Sequence, residues 1–273
     1  MQNVTDMLDK LTSESKQLIK EHSLEVFPIE SCGVVVSSNS GQRVLKAKNI
    51  FNSENKFLID NSVFDDVKYD EKTIAVYHSH TKDGFEDFSE EDIAVSEKIK
   101  IDFTLYNVVS DTFKNYSPSI KKVPLIGRPF FAPFFTCVTL IEDYYTEFLN
   151  INLKIPESEI HKVFYKFISS PNPGLLKYFK KLDEENAPEA EYLLNAFKNS
   201  GFTQVSNPKS HDIFVVKMQN FLPNSYTHCG ILDTRDTFIE SRRNKPKSTQ
   251  ESINELYKDL VKDVVFLRYK TLL

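Results

Sequence analysis

The chain of 273 residues is long enough for two cores of ordinary size, since domains commonly hold about 100 to 200 residues. With 40% hydrophobic and 27% charged residues it has the composition of a globular protein, not of a disordered or fibrous one. Its 34 Lys and Arg against 39 Asp and Glu leave a net charge of −5, which excludes a global positive field drawing it to nucleic acid or anionic lipid.

Met7, Leu8, Leu11, Leu18 and Ile19 predict an amphipathic helix over residues 5–22. The first twenty residues lack the apolar core of a signal peptide, and no window reaches the roughly 18 apolar residues of a membrane span, so neither is expected. Short β-branched runs predict strands at 33–37, 43–47 and 73–77, followed by a helix over 89–100 and a strand over 101–109. Four prolines and a glycine in SPSIKKVPLIGRPFFAPF, residues 117–134, interrupt regular structure and mark a linker. The expected domains are therefore 1–119 and 120–273. In the second, residues 136–150 carry a helical apolar face with Thr136 as N-cap. Two or three helical stretches follow within 157–200, then strands at 211–218, 227–232 and 237–241. The expected class is α+β.

Two groups of residues carry chemistry. In YHSHTKDGFEDFSEED, His78 and His80 stand two apart at the end of a strand, so both imidazoles emerge on one side. Ser89 and Asp92 open the next helix, and Glu30 lies upstream in PIESCGVV. A hydrolytic zinc site needs about three protein ligands, an open position for water and a carboxylate to take the water's proton. Ser89 and Asp92 also read as a helix capping box, and Glu91 and Asp87 are alternative ligands. The pattern resembles the JAMM metallopeptidase family, with an upstream Glu and H-x-H-x7-S-x-x-D. The resemblance implies a cytidine-deaminase-like α/β/α sandwich of the MPN type. It also implies zinc on His78, His80 and Asp92, Glu30 as general base and Ser89 as oxyanion stabiliser. Here eight residues, not seven, separate His80 from Ser89, and Thr81 stands where proline is usual in bacterial and phage members.

The cysteines Cys32, Cys137 and Cys229 are too few and odd in number for a disulfide scaffold, which suits a reducing compartment. Cys137 falls in the first turn of the predicted helix, where macrodipole and free amides favour a thiolate. His228 is its candidate partner, with His211 as competitor; Cys32 and Cys229 are expected to be inert. GRPF, TCVTLIEDYY, SHDIFVVKM, THCGIL and FIES, in that order, resemble NlpC-type cysteine peptidases. These have a papain-like α+β fold and cleave γ-glutamyl bonds beside diamino acids in cell-wall peptides. The resemblance implies Cys137 as nucleophile and His228 as base. Glu240 falls where the family usually carries an orienting His.

Both resemblances together match the domain order of the tail assembly protein K family of long-tailed phages. They imply a zinc hydrolase and a thiol peptidase that act on peptidoglycan stem peptides or a tail protein, with other phage tail-tip proteins as partners and no nucleic acid or membrane span. The expected location is the host cytoplasm during assembly, extending to the virion tail tip. The alternatives are a structural tail-tip assembly module with one or both sites inactive, and a deubiquitinase-like isopeptidase.

Overall fold

A computed structural model of the chain describes residues 10–83, 85–119, 122–156, 173–185, 187, 191–218, 221–242, 245, 247–258 and 261–272. The chain divides into two compact units, Met1–Val123 and Pro124–Leu273.

In the first unit, helix α1 spans Ser13–Val26. It does not run from residue 5 to 22: Thr12 caps it, its hydroxyl oxygen accepting from Ser15 N at 3.1 Å, and residues 1–9 lie outside the described residues. Strands β1 (Cys32–Ser38) and β2 (Gly41–Ala47) form a hairpin. A 3-10 turn at Asn61–Asp66 precedes β3 (Lys72–His80), and α2 (Glu90–Ile99) leads to β4 (Asp102–Asn107) and β5 (Thr112–Tyr116). The sheet order is β2-β1-β3-β4-β5. Only β3 and β4 run parallel, which is why a helix has to connect them. Strand β4 ends at Asn107 rather than at 109, because Asn107 Oδ1 accepts from the amides of Val109 and Ser110, both at 2.9 Å, and turns the chain.

Alternation along the strands separates the two faces. Val35, Ala75, Tyr77 and Tyr106 pack with Leu11 and Ile19 beneath α1. His78 faces the other way and meets Asp92 of α2, so the sheet lies between two helices. Gly33 is required within β1: a Cβ there would come within 2.3 Å of Leu45 O and 2.6 Å of the Tyr77 ring.

The second unit opens with α3 (Cys137–Leu149), capped by Thr136 and closed by Asn150 in the left-handed conformation. Of the helices expected within 157–200, residues 157–172 lie outside the described residues; α4 (Pro173–Glu184) and α5 (Tyr192–Asn199) account for the rest. Strands β6 (Phe202–Val205), β7 (Ile213–Met218), β8 (Phe221–Leu232), β9 (Thr237–Glu240) and β10 (Thr249–Ser252) are followed by α6 (Ile253–Lys258) and β11 (Val261–Tyr269). They form a six-stranded sheet in the order β10-β9-β8-β7-β11-β6, with antiparallel neighbours throughout. Val138, Leu140, Ile141 and Tyr145 of α3 share a core with Val215, Cys229 and Ile231. Phe214, Val216, Leu232 and Phe238 pack with Leu256 of α6. The sequence pattern places no strand beyond residue 241, yet β11 lies inside the sheet. Two of its charged residues have partners on other strands or loops: Tyr226 donates to Asp263 at 2.8 Å, and Arg268 holds Asp212 at 2.8 Å.

Because backbone and a fully buried ring both close on Gly33, Gly33→Ala is expected to destabilise the first unit by about 1–3 kcal/mol. Calorimetric unfolding of the full chain checks this; an unfolding profile unchanged by the substitution contradicts it.

Candidate functional site

The two histidines of β3 and the first turn of α2 converge in the first unit. His78 Nε2 lies 3.3 Å from His80 Nε2 and 3.6 Å from Asp92 Oδ2, and the three potential ligand atoms lie within 4.8 Å of one another. All three residues are buried. His80 Nδ1 hydrogen-bonds the Phe85 carbonyl at 2.7 Å, so its proton belongs on that nitrogen and Nε2 is left with a free lone pair. His78 stacks on Phe57 at 4.4 Å, while its Nδ1 is buried without a hydrogen-bond partner among the described residues. Burial lowers the His78 pKa to about 4; Asp92 opposes this and His80 adds to it, so the ring is neutral at pH 7. Two imidazoles and an aspartate are a donor set suited to zinc.

Ser89 and Asp92 form the capping box. Asp92 Oδ2 accepts from Ser89 N at 2.9 Å and Ser89 Oγ at 2.7 Å, and Asp92 N donates back to Ser89 Oγ at 3.1 Å. The single hydroxyl proton of Ser89 is thus directed at Asp92, and in this arrangement Ser89 orients a potential ligand. Asp87 is exposed and paired with Lys114 at 2.6 Å, and Glu91 is exposed. Asp92 alone of the acidic residues 86, 87 and 90–92 is buried with the histidines.

Glu30 lies two residues before β1, where the β1–β3 register, with Cys32 opposite His78, carries it to the level of His80. It is 4% exposed. Burial, then the charge of Asp92, raises its pKa to about 8, partly offset by Lys82. A carboxyl so placed holds a proton near neutrality, as a general base or acid needs. Thr81 bonds two neighbouring loops together, its hydroxyl lying 3.0 Å from both the Pro28 and Glu54 carbonyls. Nothing in the local sequence signals this bridge, because both partners are carbonyls of distant loops.

In the second unit Cys137 is the first residue of α3 and is partly exposed. The Cys229 side chain acts most strongly on its sulfur, followed by His228, and together they outweigh burial and hold the thiol well below its ordinary pKa. His228 is buried; burial would lower its pKa, but Cys137 and Glu240 raise it. This is the electrostatics of a thiolate–imidazolium pair. His228 Nε2 lies 2.9 Å from Glu240 Oε2, which leaves Nδ1 for the thiol. Arg242 Nε, 3.4 Å from that same ring nitrogen, is nearer to Glu240 Oε2 at 2.7 Å, so Nε2 keeps its proton for the carboxylate. Lys245 Nζ meets Glu240 Oε1 at 2.9 Å. Burial opposes ionisation of Glu240, but His228, Arg242 and Lys245 prevail and lower it to about 2.

His211 is engaged elsewhere: its Nδ1 hydrogen-bonds Tyr144 Oη at 2.9 Å and its carbonyl accepts from Tyr145 Oη at 2.7 Å. Burial, then Glu30 and Asp60, pushes the Cys32 thiol up to about 12. Cys229 is fully buried, and burial with the neighbouring Cys137 raises its pKa. The contact of Cys229 with Cys137 is a feature that sequence reasoning missed; adjacency to His228 in THCGIL was its only signal.

Residues 13–117 match a family model described as prokaryotic homologs of the JAB domain. The first unit is therefore JAB-like, and the matched span contains Glu30, His78, His80, Ser89 and Asp92. Among curated proteins nothing matches the chain.

A thiol held below its ordinary pKa stays ionised, and so reactive, at pH values where a free thiol of pKa about 8.5 is quenched. Iodoacetamide is therefore expected to label Cys137 before Cys32 and Cys229, at a rate that falls less from pH 8 to pH 6 than that of a free thiol. In His228→Ala the rate should fall across that range. Mass spectrometry of digests reads the order; equal slow labelling of all three thiols contradicts it.

Proposed function

We propose that the chain is a hydrolase with two sites, a zinc metallohydrolase of JAMM type in the first unit and an NlpC-type thiol peptidase in the second. The observation that carries the first is the convergence of His78, His80 and Asp92 beside buried Glu30. His78 Nε2, His80 Nε2 and an Asp92 carboxylate oxygen would hold the metal. Zinc bound there would polarise a carbonyl and acidify water. Glu30 takes the proton from the attacking water and returns it to the leaving amine, which its pKa near neutrality allows in both directions. Ser89 keeps Asp92 in place through the capping box, and its hydroxyl, once rotated, serves the developing oxyanion.

In the second unit the Cys137 thiolate attacks the carbonyl of the scissile amide. The His228 imidazolium gives its proton to the departing amine and then accepts one from the water that releases the acyl group. Glu240, ionised, holds the ring by Nε2–H and stabilises its charge. The proposed substrates are stem peptides of the cell wall, cut at γ-glutamyl bonds beside diamino acids, or a tail protein. The setting is the tail tip of a long-tailed phage, assembled in the host cytoplasm with other tail-tip proteins. Glu240, shared with Arg242 and Lys245, also supports a second reading, a tail-tip assembly module in which the ion cluster is structural.

Elemental analysis of the full chain is expected to give one zinc per chain, lost in His78→Ala with His80→Ala. Glu30→Gln should keep the zinc and lower hydrolysis of stem-peptide digests at the first site about 10²–10⁴-fold. Cys137→Ala should remove the second site's products. No digestion by the native zinc-loaded chain favours the assembly module.

A further inference from the structure

The interval between His80 and Ser89 is the part of the first site that this chemistry leaves unused. Its middle is fixed by two hydrogen bonds: the Phe85 carbonyl accepts from His80 Nδ1 at 2.7 Å and from Asn107 Nδ2 at 3.0 Å. A backbone tied to both the histidine strand and the end of β4 cannot swing away without breaking one of them. Yet the Phe85 side chain is 54% exposed, its ring edge-on to His80 at 6.2 Å.

One exposed Phe is ordinary on a protein surface. Here two more stand about the same pair of imidazoles. Phe57 stacks on His78 at 4.4 Å, and Phe88 meets His78 edge-on at 5.9 Å; both are partly exposed. Of the charged residues of the loop, Lys82 pairs with Glu54 at 3.2 Å and Asp87 with Lys114 at 2.6 Å, while Asp83 and Glu86 are exposed. Apolar surface fixed in place beside reactive groups gains by being covered, and a charged group covering it would shed water for no new partner.

We propose that Phe85, backed by Phe57 and Phe88, forms a subsite for an apolar side chain next to the bond cleaved by the first unit. The substrate is then an amide flanked by a residue of leucine or phenylalanine kind, not by glycine. The inference rests on the metallohydrolase reading of the first unit and supplies its specificity.

The test is titration calorimetry of the zinc-loaded full chain with leucine hydroxamate and glycine hydroxamate, which share a metal-binding group and differ in side chain. Leucine hydroxamate should bind about tenfold or more tighter, within the range by which apolar pockets discriminate. In Phe85→Ala the ratio should fall below about threefold with the glycine compound unaffected, and Phe85→Leu should restore it. Equal affinities in the native chain overturn the subsite, as does an equal weakening of both compounds in Phe85→Ala, which would make the ring a shield only. Zinc bound at one per chain with neither compound binding also overturns the subsite and leaves the metal site standing. Failure to take up zinc overturns the metallohydrolase reading and the subsite with it.

Discussion

The antiparallel pairing of β1 with β3 is the constraint on which the first site depends. With Cys32 opposite His78, alternation puts both histidines on one sheet face and carries Glu30 to the same end. A slip of one residue would present Tyr77 and Ser79 where the imidazoles now stand. Several contacts hold the register. Ser79 N donates to Ser31 O at 3.0 Å, and Ser31 N donates to Ser79 Oγ at 2.9 Å, directly between the histidines. On the opposite face Tyr77 fills the space left by Gly33 and hydrogen-bonds His22 of α1 at 2.8 Å. The residues that alternate with the site residues therefore do the holding.

The two sites manage buried charge in opposite ways. In the first, burial keeps His78 neutral and Glu30 protonated near neutral pH, so the group offers lone pairs and a proton with little cationic charge of its own. Such a cluster suits a cation brought from outside. In the second, the compensation is internal: Glu240 is fully buried but meets His228, Arg242 and Lys245, and stays ionised. Its charge in turn raises the His228 pKa, which favours the Cys137 thiolate. Removing Glu240 would thus disturb two cations as well as the imidazole, a coupling that an isolated triad would not have.

What was legible in the sequence was local. The run GVVVS reads as a strand, Thr136 and Asn150 bracket α3, and the spacing of Ser89 and Asp92 makes a capping box, because each depends on neighbours in the chain. The grouping of His78, His80 and Asp92 follows from one strand end and one helix start. Long-range features were silent. The stacking of Phe57 on His78 and the Thr81 bridge both join segments far apart in sequence. Strand β11 went unnoticed because Asp263 and Arg268 look like surface until Tyr226 and Asp212 are seen to pair with them.

The central claim is that His78, His80 and Asp92 form a metal centre, and diffraction from zinc-soaked crystals across the zinc absorption edge tests it most directly. The account predicts one strong anomalous peak in the first unit, about 2.0–2.1 Å from the two histidine Nε2 atoms and about 2.0–2.2 Å from an Asp92 oxygen. A peak held instead by Asp87 or Glu91, or zinc bound only at surface carboxylates while the histidine pair stays vacant, would contradict it.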